Sequence, residues 1–476
     1  MGRGPIANLR GNDAARSVPL GTGSRRLFCV WPAAAFIRGG DTIMRGRSLK
    51  TYLLTAAPLA MLATAAHAAA PEPKFGDPIT VASGVTIDPM LDARLRWEDV
   101  DATTKSADAV TLRVRGGVEV KEATTHLSFL VEVEGNVAMD KAYGAFPYAN
   151  PGANQYRPTL ATIADPENTA FNRLQIAYQT KMLGLTVGRQ RITLDDQRFV
   201  GASGWRQNEQ TFDAVRGTVN KGVVVLDATY AQSQRTIYGT NGGLRTGYAG
   251  QFAFLNGGLK GRLGSLKGFA YLLDYDKTGF SNATARSQLD SSQTYGFRAV
   301  TAPVKLAKGV SAVLSGSYAE QSAYGNNAKS FSAEYYTFEG TLNVRNQALT
   351  GGYEQLGSDR GAQGGAWSFQ TPMATLHKFN GTADMFLTTP ANGLADTYVG
   401  LAGKLPEVKC IPGLSYGVTY HWFGSAIQNQ KYGNEVDAQV GFRAAKVNWL
   451  VKYANYDAHG FGANTQKFWL QAEYGF

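Results

Sequence analysis

Hydrophobic and polar residues alternate along most of the chain from Val85 to Phe476. In residues 110–121, valine and leucine side chains lie on one face, while Arg113 and Arg115 lie on the other. The same period of two recurs in residues 127–134, 414–422 and 436–443. Successive side chains of a β-strand point to opposite faces, so each run predicts a strand with one apolar and one polar face. Counting such runs predicts about 18 strands.

The connections between these runs alternate in length. The short ones fall at 121–124, 181–184, 220–222, 263–265, 307–309, 345–347 and 445–447. The long polar ones fall at 139–168, 197–210, 232–247, 274–292, 356–393, 424–434 and 455–465. Short turns at one end and long loops at the other are typical of bacterial outer-membrane barrels, with both termini at the short-turn end. We therefore predict an all-β fold in residues 85–476, a transmembrane antiparallel β-barrel with short periplasmic turns and long extracellular loops.

The segment 44–68 has the three parts of a secretory signal peptide. Cationic residues follow Met44, an apolar stretch covers residues 51–63, and Ala66 and Ala68 mark a small-residue cleavage site. The apolar stretch is too short to span a bilayer as a stable helix. Residues 1–43 are interpreted as an over-extended start that the mature protein lacks; the rival interpretation is a twin-arginine export signal beginning at Ser24. Residues 69–84 would form an N-terminal periplasmic segment.

Removing this leader changes the charge of the chain. The full sequence has 47 Lys and Arg and 37 Asp and Glu, a formal net charge of +10. Nine basic and two acidic residues lie in 1–68, which leaves 38 basic and 35 acidic residues and a charge of +3. A nearly neutral mature chain gives no global argument for nucleic acid as a partner. Cys410 is the one cysteine after the leader, so neither an internal disulfide nor a Cys-based metal site is expected.

The last strand ends in an apolar face. Phe468, Leu470, Ala472, Tyr474 and Phe476 alternate with polar residues. A final strand that ends in Phe resembles the signal that outer-membrane proteins present to the barrel-assembly machinery. We therefore expect Tyr474 and Phe476 to act as the assembly signal, and we expect this machinery and outer-membrane lipid to be partners of the chain.

Residues 171–216 carry the most specific motifs of the sequence. They contain Gly188-Arg189-Gln190, the run from Asp195 to Gly201 that reads DDQRFVG, and the run from Trp205 to Asp213 that reads WRQNEQTFD. These motifs resemble the alginate-export family of outer-membrane barrels, whose barrel has 18 strands. The resemblance implies a passive channel for an anionic polysaccharide with an arginine-lined lumen, working as a monomer.

Strand parity suggests which side chains line that lumen. Leu174 and Ile176 would face lipid, which turns Arg173 inward, and Ile192 and Leu194 would turn alternate residues of the next strand inward, with a bulge near Gly188. The predicted pore-lining and substrate-binding residues are Arg113, Arg115, Arg173, Arg189, Arg191, Asp195, Arg198 and Arg206. The predicted lumen counter-charges are Glu119, Glu132 and Glu134.

Guanidinium groups bind carboxylates through two parallel hydrogen bonds, so such arginines could attract uronate residues. The alternative is that the acids pair with the arginines as a structural network across the lumen. The segment from Trp205 to Asn208 could fold inward and narrow the pore, or it could be an exposed loop.

An enzymatic function finds little support in the motifs. Gly413 to Gly417 matches G-x-S-x-G, but the match lies within an alternating strand, whereas a nucleophile elbow needs a strand-to-helix turn. No catalytic residues, metal site or cofactor are predicted. Three hypotheses remain: a channel for anionic saccharide or polyuronate, a general or differently selective uptake porin, and, less favoured, a barrel hydrolase. Export and uptake are not distinguished by the sequence.

Overall fold

Eighteen antiparallel strands form a closed barrel wall in the computed structural model, which describes residues 76–276 and 288–476. The wall strands are β1 Val85–Ala102, β2 Ser106–Glu122, β3 Leu127–Ala142, β4 Asn168–Gln179, β5 Leu183–Gln190, β6 Thr211–Lys221, β7 Val224–Arg235, β8 Gly247–Gly261, β9 Gly264–Tyr275, β10 Ser292–Thr301, β11 Val310–Ala323, β12 Ser332–Val344, β13 Gln347–Leu356, β14 Leu394–Lys404, β15 Ser415–Gly424, β16 Lys431–Ala444, β17 Val447–Ala458 and β18 Thr465–Gly475. Strands β1 and β18 pair and close the barrel. The predicted fold class and strand number are confirmed.

Four short strands accompany the wall. Ile79–Ala82 forms a hairpin with the start of β1, and Val304–Ala307 pairs with β11. Ser358–Asp359 and Trp367–Ser368 pair with each other inside the long connection between β13 and β14. The predicted leader in residues 1–68 lies outside the described residues.

Both ends of the barrel wall lie at the short-turn end. Phe476 and Leu91 exchange two backbone hydrogen bonds of 3.0 and 3.2 Å next to the end of β18. One turn at this end, 405–414, is longer than the others and was not among the predicted short connections. Tyr474 lies on the same strand end, and the assembly role of Tyr474 and Phe476 stays a prediction.

Alternation of side chains separates a lipid-facing surface from a polar lumen. Leu95, Val114 and Val215 are exposed on the outside of the wall, whereas Arg96 and Arg113, which alternate with the first two, are buried inside. An apolar outer band with a polar interior is the pattern that a membrane barrel requires. Among the described residues, no helix is long and apolar enough to cross a bilayer.

The lumen is partly filled by side chains rather than being an open tube. A cluster of buried aromatic residues, including Phe212, Phe254, Phe369 and Trp469, packs inside the wall. Some of these residues belong to strands and others to connections that enter the lumen. The side chains and connections inside the wall therefore set the path through the barrel.

Candidate functional site

Two connections fold into the lumen and meet there. We call residues 191–210, between β5 and β6, the first inserted loop, and residues 357–393, between β13 and β14, the second inserted loop. Val200 and Met373 form a parallel bridge between them, and the amide of Gly201 donates to the Met373 carbonyl over 2.9 Å. The two loops together form the constriction of the lumen.

Arginines of β1 hold the first inserted loop. Arg94 Nη1 donates to the carbonyls of Gly204 and Trp205 at 3.0 and 3.1 Å. Arg96 Nη2 donates to the same Trp205 carbonyl at 2.6 Å, and its guanidinium lies 4.1 Å from the centre of the Trp205 ring. A guanidinium suits this task because it offers five donors and also stacks on aromatic rings. These contacts turn the segment from Trp205 to Asn208 inward.

Four of the predicted lumen arginines, three on strands and one in the first inserted loop, face the lumen, and each contacts acids of the protein. Arg113 pairs with Asp92 and Glu473, and Arg115 with Glu134 and Glu209. Arg173 pairs with Glu132, and Arg191 with Glu209. Glu119 faces the lumen near the short turns and lies 3.1 Å from Lys121. Arg115, Arg173 and Arg191 thus form one ionic network with Glu132, Glu134 and Glu209, in which Glu209 joins the first inserted loop to the wall. The ion pairs of Arg113 and Glu119 lie outside this network.

The placement of Arg189 corrects the sequence-based expectation. Strand β5 ends at Gln190, and Arg189 shares its outward face with the exposed Val187. Arg189 pairs with Asp213 at 2.8 Å on that face rather than facing the lumen. Gly188 has a φ of +117°, but the pairing of β5 continues there without the expected shift in register, so parity is unchanged.

The extra residue lies on the neighbouring strand instead. Asn172 of β4 has no opposite residue in β3, because the register shifts between Glu132 and Val133. A bulge of this kind re-aims a side chain locally. Here Asn172 and Arg173 both reach Glu132, at 2.7 and 2.6 Å.

Residues 191–195 also differ from the prediction, since they belong to the first inserted loop and not to a strand. Ile192 and Leu194 are buried in the lumen cluster rather than exposed to lipid. Asp195 pairs with Lys267 of β9, and the adjacent Asp196 pairs with Arg298 of β10 at 2.8 Å. Lys267 and Arg298 lie directly opposite each other on neighbouring strands, so the two aspartates separate like charges.

Arg198 and Arg206 lie at the centre of the constriction. Arg198 donates to Glu354 of β13 at 2.8 Å and to Asn380 at 3.1 Å. Arg206 Nη2 lies 2.5 Å from Asp384 of the second inserted loop. Both guanidiniums are buried, so each depends on its carboxylate partner for compensation of its charge.

Asp384 gathers three basic side chains. His377 Nδ1 lies 2.7 Å from one of its oxygens, and Arg206 and Lys467 Nζ approach the other at 2.5 and 3.2 Å. Although burial opposes ionisation, contacts with His377, Lys467 and Arg206 hold the pKa of Asp384 well below its usual value. The ring of His377 stacks on Trp205, with centroids 4.5 Å apart. The sequence analysis missed Asp384 and His377, because the second inserted loop has no periodicity that would place a side chain.

His377 makes the constriction sensitive to acid. Burial lowers the pKa of His377 well below its usual value, and Lys452 Nζ lies 2.9 Å from its Nε2. The folded state therefore binds fewer protons than the unfolded state, and stability is lost as pH falls below about 6.5. We expect current fluctuations of single channels to increase progressively from pH 7 to 5, and H377Q to reduce this increase. H459Q, which changes an exposed loop histidine, should leave it intact; an identical pH dependence in H377Q would contradict the assignment.

The constriction separates two cavities. The outer one, of about 630 Å³, lies on the long-loop side and is lined by Arg206, His377 and Lys467 among others. The inner one, of about 570 Å³, faces the short turns and is lined by acids of β13 to β16 together with Lys378 and Lys452. From the second inserted loop, residues 378–382 line the inner cavity, whereas residues within 370–377 and 384–389 line the outer one.

Neither metal chemistry nor a nucleophile elbow is built into these elements. Within residues 76–276 and 288–476, no three His, Cys, Asp or Glu side chains are grouped so as to hold a metal ion. Ser415 of the G-x-S-x-G match opens strand β15, and its hydroxyl donates to the Gly441 carbonyl at 3.3 Å. The strand-to-helix turn that positions a nucleophilic serine does not occur there.

Comparison with known families agrees with this architecture. The model of the alginate-export family matches residues 92–238. The match includes all of residues 171–216, so the resemblance seen in the sequence is confirmed. No curated protein matches the sequence.

Several solved structures share the barrel fold of this chain at low sequence identity. OpdK of Pseudomonas aeruginosa, solved with vanillate, is 12% identical with a TM-score of 0.60, and OccAB2 of Acinetobacter baumannii is 15% identical with the same score. P. aeruginosa OccK2 (OpdF), solved in complex with glucuronate, is 12% identical with a TM-score of 0.58. Each comparison covers 82% of this chain and 98% of the other. The fold is that of a β-barrel of the bacterial outer membrane.

Proposed function

We propose that the barrel is a passive channel for anionic saccharides of the uronate class. The observation that carries the proposal is a basic row of lumen side chains: Arg173, Arg191, Arg216, Lys267 and Arg298. Each pairs with at least one acid, and in the shortest ion pair of four of the five the cation is the more exposed partner. Arg191, for example, has 33% of its side chain exposed, against 5% for Glu209.

The basic row places its positive groups along the pathway through the lumen. Most of the carboxylates that pair with them are less exposed to that pathway. Carboxylate groups of a passing solute can exchange with the internal carboxylates one at a time, which permits binding without trapping. The name of the matching family and the glucuronate bound to OccK2 point to the same class of solute. Binding that is favourable but divided over several sites is what conduction requires.

The size of the cavities supports a second candidate, an uptake porin for small solutes. Cavities of about 570 and 630 Å³ match small-molecule sites, and the contact between Lys452, which lines the inner one, and His377, which lines the outer one, lies between them. A general small-solute porin would conduct neutral and anionic sugars of equal size at equal rates. The uronate channel would favour the anionic one.

Channel recordings in planar bilayers separate these candidates. We expect the reversal potential in a KCl gradient to indicate anion preference, and we expect a short oligouronate to block the current while a neutral oligosaccharide of equal length does not. The variant R191Q should weaken this block by about tenfold, the effect of losing roughly 1.4 kcal/mol of charge-assisted binding. R189A is the matched control, because Arg189 lies on the outer face; cation preference, or equal block by both sugars, would overturn the proposal.

A further inference from the structure

The turns at the short-turn end carry a ring of basic side chains, which we call the basic rim. All eight turns contribute at least one Lys or Arg. The rim comprises Lys121, Lys181, Lys221, Lys260, Arg262, Lys305, Lys308, Arg345, Lys404, Lys409, Arg443 and Lys446. The same turns contain two acids, Glu122 and Glu407. Twelve cations against two acids is a strong local excess in a barrel of nearly neutral total charge.

Eleven of the twelve rim cations, unlike the arginines of the lumen network, form no ion pair within the part of the chain that the structure describes. All twelve residues are exposed, and among the described residues only Lys121 forms an ion pair, with Asp88 and Glu119. Every lumen arginine of the ionic network, by contrast, contacts a carboxylate. Unpaired surface cations are well solvated, so they leave a positive potential that reaches about 10 Å at 0.1 M salt.

Strand parity directs part of the rim toward the mouth of the pore. Lys404 follows two residues after Ala402, which lines the inner cavity, while the neighbouring Leu401 is exposed on the lipid side. Arg443 of β16 has the same parity as Gln439, another residue of the inner cavity. These two side chains therefore lie at the entrance of the inner cavity rather than on the outer wall.

A concave site lies within the rim. Lys308, Arg345 and Lys404 line a cavity of about 590 Å³ together with Glu407. Three cations and one acid around one depression suit a ligand with several negative charges. A concave basic surface concentrates such a ligand and speeds its association.

We propose that the basic rim captures polyanionic saccharide chains at the periplasmic mouth, so that the channel takes up anionic chains faster from the periplasmic side. The inference rests on the proposed function, because it assumes that the channel accepts uronates. The rim adds an association site outside the constriction. Its positive charge makes association of anionic chains faster at the short-turn end than at the long-loop end. Loading from the periplasm is favoured at low salt and is lost when salt screens the rim.

The test measures block of oriented channels by a short oligouronate added to one side at a time. Cys410 is exposed in the turn 405–414 at the short-turn end. Its reaction with an impermeant thiol reagent added to one side therefore shows whether the short turns of the channel face that side. At about 0.1 M KCl we expect the on-rate of block to be about tenfold higher from the short-turn side, and at about 1 M we expect equal rates. The triple variant K308Q/R345Q/K404Q should lower the on-rate from that side by at least about threefold and leave the other side unchanged.

The control is K329Q, a lysine on the long-loop side whose Nζ contacts a backbone carbonyl. This variant should not change the on-rate from the short-turn side. Equal rates from both sides at low salt, with block present, would overturn the capture site and leave the proposed function intact. Absence of block from either side would overturn the proposed function itself. The triple variant could instead bind less to anionic phospholipid vesicles while a short oligouronate blocks it at the wild-type rate. That result would assign the rim to lipid headgroups and contradict this proposal.

Discussion

Replacing Asp384 with alanine should open the constriction. The change leaves the buried cations Arg206 and Lys467 without their carboxylate and removes the partner of His377 Nδ1. Breaking a buried ion pair from one side costs about 3–5 kcal/mol. The two inserted loops can relieve this cost by moving apart, which shifts the balance between narrow and wide states by a factor on the order of 10² to 10³.

Single-channel conductance in planar bilayers measures this effect directly. We expect D384A to show a larger and noisier conductance than the wild type, while circular dichroism shows unchanged β-structure. D457A is the control, since Asp457 is a largely exposed carboxylate near the end of β17, next to His459. A folded D384A channel with wild-type conductance would show that Asp384 does not hold the loops together.

The variant E209Q should raise anion selectivity. Glu209 accepts hydrogen bonds from Arg115, Arg191 and Asn172. Its loss of charge leaves Arg115 with Glu134 alone and Arg191 with only the more distant Glu132, at 4.0 Å, so the positive charge facing the lumen increases. At an effective dielectric constant near 20, one unit charge about 8 Å from a passing ion contributes roughly 2 kcal/mol before screening. We expect the permeability ratio of chloride to potassium to rise at least about threefold at low salt, measured by reversal potential.

Glutamine keeps the size and an acceptor oxygen of Glu209, so the effect reports charge rather than packing. The matched variant E167Q changes a carboxylate that pairs with Lys141 near the long loops, and it should leave the ratio unchanged. An unaltered ratio in E209Q would mean that the basic row does not set selectivity.

The strand pattern was predictable because a membrane barrel repeats one constraint along its whole wall. Every strand must present apolar residues to lipid at every second position, and lumen residues are polar in between. Arg94 and Arg96 obey this rule by alternating with Leu95, although they were not among the predicted pore residues. Their role depends on carbonyls of Gly204 and Trp205, more than 100 residues away in sequence.

The constriction was less predictable, because alternating apolar residues can face either the lipid or an apolar cluster inside the lumen. Ile192 and Leu194 alternate as a strand would, yet they bury themselves in the lumen cluster once the chain leaves β5 at Gln190. Arg189 was misplaced for the same reason, since the predicted bulge at Gly188 was inferred from residues that are not in a strand. Asp384 had no periodic signal in its loop, and two of its three partners, Arg206 and Lys467, come from distant parts of the chain.

The pairing of the first and last strands has a consequence for the order of assembly. Arg94 of β1 reaches Glu473 of β18, and Asp384 reaches Lys467 of the same last strand. Bringing together groups this far apart in the chain carries a large loop-closure entropy until the wall itself has joined its ends. We therefore expect the barrel wall to close first. A newly closed barrel would then conduct more freely until the two inserted loops narrow its lumen.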